Sequence, residues 1–436
     1  MTFKFGKLQL FKFTTLSLVE ILFLLYISSI IIISMMPVGN IISKGFGLLF
    51  IFYFFIFYVF WLKGKIYVSK EFTFILLWLM FCLISGFFAS KIDLVIIKLE
   101  TIIQLILFFI AGYSIIIQGK ITEKHIFYTF ILSTILVILY GVATYEPISG
   151  FAYKNRIAST TGNPNNLAVF GSFAYIFCLY LIVIEEKLSK KFLLTILILI
   201  IIYGIINTHS RQGIVMLMGS TIVYGFIRVI HNFKNNNNKL KFVRNILFIS
   251  SSLIILSFIG FQYLSESAYY FRIKTLLSFL KVGVNTSTVN IAKIVDYSAY
   301  ERTQFIIYGI KIWLDNLLFG VGLDNFRVVI KQYWPISNPL YSHNNYIELL
   351  STIGTFGAVA YYMIYFLVIR RLVLLIKHGK HTAKAINLVH ILITAVLSLM
   401  MLELVTVSYY RKYTWVVLIL TIGLSDRLMS QKKLQA

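Results

Sequence analysis

The sequence predicts an all-α polytopic membrane protein of about 12 transmembrane helices, and three observations support that fold class. Hydrophobic residues make up 59% of the 436 residues and the mean hydropathy is +0.86, which leaves too little polar side-chain surface for a water-soluble domain. Apolar stretches long enough to cross a bilayer recur along the chain. The basic residues are also distributed unevenly between the connections, as in proteins whose loops lie on two sides of a membrane.

Twelve apolar stretches have the composition of membrane-spanning helices, each of which needs roughly 20 apolar residues. They are 14–36, 45–62, 72–90, 95–117, 125–146, 165–184, 192–206, 212–230, 246–263, 346–369, 385–408 and 412–425. The connection between the ninth and the tenth is far longer than any other, and it contains apolar residues at helical spacing. We therefore expect three regions: transmembrane helices 1–9 in 1–263, a large extracytoplasmic loop with amphipathic surface helices in 264–342, and transmembrane helices 10–12 in 343–436.

The formal net charge of +24 agrees with a membrane topology and does not indicate a nucleic-acid partner. If both termini are cytoplasmic, the cytoplasmic segments hold 24 of the 40 Lys and Arg residues, and the short outer connections hold only 8. This bias predicts a multi-pass membrane protein whose basic face contacts anionic lipid. Cys82 and Cys178 lie inside predicted spans, so no disulfide framework is expected.

Four outer segments hold unusual polar residues. They are 156–168 (RIASTTGNPNNLA), 208–213 (THSRQG), 300–302 (YER) together with 319–326 (FGVGLDNF), and 342–348 (SHNNYIE). Each has an ordinary structural explanation: an arginine at a helix end can extend to lipid headgroups, and Asn-Pro-Asn is typical of a turn with a helix N-cap. Gly320-Val321-Gly322 follows no predicted strand, so it is not a dinucleotide-binding motif.

The predicted topology nevertheless places Arg156, Arg211, Arg302 and His343 at the same membrane face, although they are far apart in sequence. Several guanidinium groups facing a partly dry cavity would repel one another unless an anion binds there. Arginine binds phosphate through a planar fork of donors, which suits a diphosphate. A histidine with an ordinary pKa near 6.5 can accept a proton from an attacking hydroxyl at neutral pH.

Together and in this order, the four motifs resemble the O-antigen ligase and Wzy-type polysaccharide polymerase superfamily over roughly 150–360. The resemblance implies a bacterial membrane glycosyltransferase of the GT-C-like fold that uses an undecaprenyl-diphosphate-linked glycan and needs no cofactor, nucleotide sugar or metal. It implies diphosphate binding by Arg211 and Arg302 and a catalytic role for His343. The remaining candidates for substrate binding are Arg156, Asn163, Ser210, Asn344 and Arg411.

The function expected from this resemblance is polymerisation, with a second lipid-linked repeat unit as the acceptor and inversion at the anomeric carbon. A chain-length regulator is a plausible protein partner. An O-antigen ligase, which would transfer the glycan to a lipid core or a protein, stays open; the abundance of Ile, Phe, Lys and Asn, as in chains from AT-rich bacterial genomes, favours the polymerase. A lipid-linked oligosaccharide flippase is the alternative from another class, and the scarcity of charged residues in the middle of spans argues against it.

Overall fold

The computed structural model of the protein describes residues 16–33, 37–118, 120–144, 157–235, 297–334, 336, 341–378 and 382–435. All regular secondary structure within these ranges is helical, which confirms the all-α prediction. Helices are the expected form for apolar segments in a bilayer, because a helix satisfies its own backbone hydrogen bonds where no water is present.

The described part of the chain forms thirteen α-helices. They are α1 (Leu18–Ile32), α2 (Pro37–Phe52), α3 (Phe72–Ser85), α4 (Ile92–Ile117), α5 (Glu123–Ala143), α6 (Pro164–Ile184), α7 (Leu188–Asn207), α8 (Arg211–Asn235), α9 (Tyr297–Asp315), α10 (Phe326–Tyr333), α11 (Asn345–His378), α12 (Ala383–Glu403) and α13 (Lys412–Gln435). A π-helix at Tyr53–Trp61 continues α2.

Eight helices among the described residues are long and apolar enough to cross a membrane, and the chain is an integral membrane protein. These segments are Ile41–Trp61, Ile92–Ile117, Glu123–Ala143, Pro164–Ile184, Leu188–Asn207, Arg211–His231, Asn345–Lys377 and Ala383–Glu403. Each coincides with a predicted span. Two further predicted spans correspond to the shorter apolar helices Leu18–Ile32 and Phe72–Phe88, the last corresponds to α13, and the span predicted at 246–263 lies outside the described residues. The total of twelve spans and the GT-C-like architecture stay predictions.

Short connections make most consecutive helices run in opposite directions, so the bundle has two ends. At the upper end α4, α6, α8, α11 and α13 begin, and at the lower end α3, α5, α7 and α12 begin. Helix α3 packs on α11, α4 packs on α13, and α6 packs on both α7 and α8. Their centre is strongly aromatic: the buried ring of Trp78 lies 5.4 Å from that of Tyr361 and 6.1 Å from that of Trp415, measured between centroids.

Helix α11 is broken near its start at Gly354, whose backbone has a φ of 71°. The break leaves two carbonyl groups of the helix available to another segment: Val321 N–H donates to the Ser351 carbonyl at 3.0 Å, and Gly322 N–H donates to the Thr352 carbonyl at 2.9 Å. A Cβ at Gly354 would lie 2.2 Å from a backbone oxygen of this segment. Gly354 therefore permits a kink filled by a distant part of the chain.

The residues that fill this break, 317–325, are named here the docking segment. Its far end contacts the turn between α3 and α4, where Leu323 N–H donates to Ser85 Oγ at 3.1 Å and Lys91 N–H donates to Asn325 Oδ1 at 2.8 Å. The segment follows α9, which packs against α11 and, with α10, buries its own small apolar cluster. The region predicted to be a long loop with surface helices thus contains two helices in its described part; its boundaries and its side of the membrane stay predictions.

Candidate active site at the upper end of the bundle

His343 lies in a tight turn immediately before α11, in a left-handed backbone conformation with a φ of 59°. Three side-chain interactions hold this turn. Ser342 N–H donates to Glu348 Oε2 at 2.8 Å, Ser342 Oγ donates to the Asn344 carbonyl at 2.7 Å, and Asn344 Oδ1 accepts from Ile347 N–H at 3.1 Å. The motif SHNNYIE is therefore a helix cap in which serine, asparagine and glutamate fix the position of the histidine.

The imidazole ring of His343 is half-buried between aromatic rings. It stacks on Phe305 of α9 with centroids 6.0 Å apart, and the Tyr341 ring is 4.4 Å away. Burial, followed by the positive charge of nearby Arg302, lowers the pKa of His343 to about 4. The ring is consequently neutral at pH 7 and has a lone pair available to accept a proton.

Arg411 approaches the same place from the loop between α12 and α13. Its side chain lies close to that of Tyr341, and its guanidinium carbon lies 5.0 Å from the centroid of the Tyr410 ring. Tyr341 therefore lies between Arg411 and His343. The structure brings together three sequence-predicted residues, His343, Arg302 and Arg411, at one point of the upper end.

A lysine from α4 extends this cluster. Lys98 Nζ lies 3.7 Å from the centroid of the Tyr410 ring and 3.4 Å from Asp324 Oδ1 of the docking segment. Asp324 also pairs with Arg327 at the start of α10. Among the described residues Lys98 has a carboxylate partner and Arg411 has none, which indicates that Lys98 has a structural role in joining α4 to the docking segment.

Two consecutive asparagines after His343 hold the loop that carries Arg411. Asn344 Nδ2 donates to the Leu404 carbonyl at 3.1 Å, and Asn345 Oδ1 accepts from Ser408 N–H at 2.9 Å and Tyr409 N–H at 3.1 Å. The side-chain amide of Asn344 is thus engaged with the protein's own backbone, and its contact with substrate stays a prediction. Asn345 is fully buried and was not among the predicted site residues, although it is the second asparagine of the His-Asn-Asn sequence.

A buried carboxylate supports the same loop from below. Glu403 Oε1 accepts hydrogen bonds from Ser408 Oγ at 2.7 Å, Tyr365 OH at 2.8 Å and Tyr361 OH at 3.1 Å. These three hydroxyls satisfy Oε1, whereas Oε2 is buried and accepts no hydrogen bond from the described residues. Through Oε1, Glu403 connects the loop at Ser408 to two tyrosines of α11.

A second cluster forms where α6 and α8 begin. Asn163 caps α6 by accepting from Asn165 N–H at 2.8 Å, and Ser210 Oγ donates to Asn165 Oδ1 at 2.7 Å. Ser210 Oγ also accepts from Gly213 N–H at 3.3 Å, so it caps α8. Arg211, the first residue of α8, is therefore next to two helix N-termini, whose dipoles favour an anion.

The remaining predicted residue, Arg156, lies outside the described residues. Its neighbour Ile157 donates its N–H to the carbonyl of Asn207, the last residue of α7, at 2.9 Å. The chain therefore enters the second cluster directly after position 156. Within the described ranges, no group of three or more His, Cys, Asp or Glu side chains is placed to hold a metal ion.

The contacts thus form two clusters at the upper end, one around His343 and one around Arg211. A comparison with known protein families matches one segment of the chain, and this segment includes both Arg211 and His343. Residues 196–362 match the model of the O-Antigen ligase family. The match confirms the resemblance that the motifs predict, and it supports a membrane protein of polysaccharide biosynthesis with an O-antigen ligase or polymerase type of function.

The segment that matches this family model includes Arg211, Arg302 and His343, and it ends before Arg411. The loop of Arg411 is nevertheless tied to that segment through Asn344 and Asn345. No curated protein matches the chain.

Proposed function

We propose that the chain is a polysaccharide polymerase that transfers a glycan from an undecaprenyl-diphosphate donor to a sugar hydroxyl of another lipid-linked repeat unit. The observation that carries the proposal is the position of His343, a neutral imidazole held by a helix cap beside Arg302 and Tyr341. A base next to fixed cations is the arrangement that acid–base catalysis with an anionic leaving group requires. In this proposal the upper end faces the extracytoplasmic side of a bacterial plasma membrane and both termini are cytoplasmic.

Arg211 and Arg302 bind the diphosphate of the donor. As the bond between the anomeric carbon and the diphosphate oxygen breaks, the electron pair of that bond moves to the leaving undecaprenyl diphosphate. Fixed arginines stabilise this growing charge more in the transition state than in the bound donor, so they accelerate the reaction. The two helix N-termini beside Arg211 act in the same direction.

His343 accepts the proton of the acceptor hydroxyl while its oxygen forms the new bond to the anomeric carbon from the opposite face, which inverts the configuration. In the empty site Arg302 disfavours the imidazolium form of His343. A bound diphosphate neutralises that cation, so the pKa of His343 rises when the donor is present. The base therefore gains strength only in the loaded site, and no metal is required.

An O-antigen ligase would use the same donor chemistry with a lipid core or a protein as the acceptor, and the description of the matching family fits this second candidate equally well. A flippase would also bind a lipid-linked diphosphate. It breaks no glycosidic bond, so it gives no reason for a neutral histidine between the rings of Phe305 and Tyr341.

The test is reconstitution of the purified protein with a lipid-linked repeat unit in the absence of metal and nucleotide sugar. A ladder of products with released undecaprenyl diphosphate, lost in His343→Ala, supports the polymerase. A single product that forms only when a lipid-core or protein acceptor is added would instead identify a ligase. Intact substrate moved to the other leaflet would identify a flippase, and an anomeric configuration retained in the product would contradict the single-step mechanism.

A further inference from the structure

Beside the catalytic cluster, a second group of basic residues lies between α1, α2 and α13. Lys412, the residue after Arg411, is half-buried at the start of α13. Its Nζ donates to Oγ of the fully buried Ser43 on α2 at 3.1 Å and lies 5.8 Å from the centroid of the Tyr26 ring on α1. Two neighbouring helices therefore hold this ammonium group through a hydroxyl and an aromatic face.

A second lysine adds to the positive charge at this position. Lys44, the residue after Ser43, is exposed on α2 and close enough for its charge to repel that of Lys412. None of the ion pairs between described residues includes either lysine. Two neighbouring cations, one of them half-buried, favour a bound anion, because an anion would offset both the repulsion and the cost of desolvation.

The surface of α2 next to Lys44 suits a lipid tail. An added Cβ at Gly45 would meet no atom within 4 Å, so the helix surface is open there. Apolar side chains of the same helix are exposed around it, and they are Ile41, Ile42, Leu48 and Leu49. A cationic site at the edge of an exposed apolar helix face is suited to an anionic head group attached to a long hydrocarbon chain.

The position of this lysine pair relates it to the reaction. Lys412 is adjacent in sequence to Arg411, whose side chain reaches Tyr341 beside His343. A head group held by Lys412 would therefore lie next to the cluster in which the acceptor hydroxyl loses its proton, with its attached glycan free to extend toward His343.

We propose that Lys412 and Lys44 bind the diphosphate of the acceptor, a second polyprenyl-diphosphate-linked glycan whose hydrocarbon chain lies along α2. This inference rests on the proposed polymerase function, because a polymerase holds two lipid diphosphates at once. Donor and acceptor would then be bound by different cations. Arginines, whose planar guanidinium groups form paired hydrogen bonds, would bind the donor diphosphate that leaves, and lysine ammonium groups would bind the acceptor diphosphate that stays attached.

The first test counts bound undecaprenyl diphosphate on the full-length protein in nanodiscs of zwitterionic lipid, by native mass spectrometry. The wild type should bind two molecules per chain. The pair Lys44→Gln and Lys412→Gln should weaken one of the two sites roughly tenfold or more, while Arg302→Gln weakens the other. Lys91→Gln is the matched control: this exposed lysine at the same end contacts Asn325 through its backbone only, so both sites should persist.

A single undecaprenyl diphosphate on the wild type, or two that persist in the double lysine variant, would overturn the proposal. Phosphatidylglycerol tests whether the lysine pair binds an ordinary phospholipid head group instead. If it displaces the lysine-dependent undecaprenyl diphosphate at equal concentration, the site binds phospholipid and the proposal is wrong. Lys412→Arg keeps the positive charge. If this variant still binds two molecules, the loss of binding in the double glutamine variant results from the loss of charge and not from misfolding. The proposed function fails separately, if the wild type forms no product ladder or if the ladder survives in His343→Ala, whatever the lysine variants show.

Discussion

The two ends of the bundle use their basic residues in different ways. At the lower end, Arg371 pairs with Glu71 and lies 2.8 Å from Asp426, and Glu123 pairs with Lys384 at 2.8 Å and with Arg427 at 3.8 Å. At the upper end, the contacts of Arg411 and Lys412 are with hydroxyls and aromatic rings.

This difference separates cations that hold helices together from cations that remain available to a ligand. A carboxylate that satisfies a buried arginine also opposes the binding of a phosphate, whereas a hydroxyl or an aromatic face does not. Among the described basic residues of the upper end, Lys98 and Arg327 are the exception, because Asp324 pairs with both. Accordingly, they connect α4, the docking segment and α10.

The comparison is tested most directly by determining on which side of the membrane each end of the bundle lies. Ser90 is exposed in the connection between α3 and α4 at the upper end, and Ser189 is exposed in the first turn of α7 at the lower end. Both native cysteines are buried, so single introduced cysteines give a clean signal. In intact cells a membrane-impermeant maleimide should label Ser90→Cys and not Ser189→Cys. Equal labelling of both, or the reverse pattern, would contradict the proposed topology.

Loss of the base should have the largest effect on turnover. We expect His343→Ala to lower kcat about 10²- to 10⁴-fold, the contribution of a general base, with little change in the dissociation constant of undecaprenyl diphosphate. Single-turnover kinetics and equilibrium binding separate the two quantities. If donor binding disappears together with turnover, His343 is a ligand of the diphosphate and not the base.

Arg211→Lys keeps the charge and removes the planar fork at the start of α8. We expect a decrease in kcat of about 10²-fold, the typical cost of losing one donor that stabilises the transition state, with normal membrane insertion and an unchanged melting temperature. Full activity would show that Arg211 serves only to contact lipid head groups.

Arg371→Met is the counterpart at the lower end. It leaves Glu71 buried without its partner, which costs about 3–5 kcal/mol of folding free energy. The melting temperature in detergent should fall, while the specific activity of the folded fraction stays at the wild-type level. A loss of specific activity with unchanged stability would mean that the two ends do not divide their roles as proposed.

The smallest effect concerns pH. Burial and Arg302 lower the pKa of His343 to about 4, and the neutral ring is the active form, so kcat/KM should be retained above that pH and fall as pH decreases through it. Removing the charge in Arg302→Gln should move this acidic limb to higher pH, though not to 6.5, because burial remains. In the wild type, the pH profile of kcat reports the pKa of His343 in the donor complex. Its acidic limb should therefore lie at higher pH than the acidic limb of kcat/KM. Profiles of both parameters between pH 3 and 9 check these shifts; identical limbs in wild type and variant would contradict the influence of Arg302.

The helices and part of the site could be predicted because their signals are local. Apolar runs locate α4 and α6 within a few residues, and topology alone predicts that Arg302 and His343 share one end of the bundle. The functions of Gly354 and Asn345 could not be predicted, because each depends on a partner far away in sequence: the docking segment for Gly354, and the backbone of residues 408 and 409 for Asn345. The lysine pair at 44 and 412 is also visible only after α2 and α13 meet.

The docking segment connects α9 rigidly to the first turns of α11. Its hydrogen bonds to Ser351 and Thr352 fix the register between the helix that carries Arg302 and the turn that carries His343. One residue inserted between 317 and 321 would move Val321 and Gly322 away from these carbonyls and place a side chain where only glycine fits. This stretch should therefore tolerate no change in length, because a change would alter the distance between Arg302, the proposed diphosphate ligand, and His343, the proposed base.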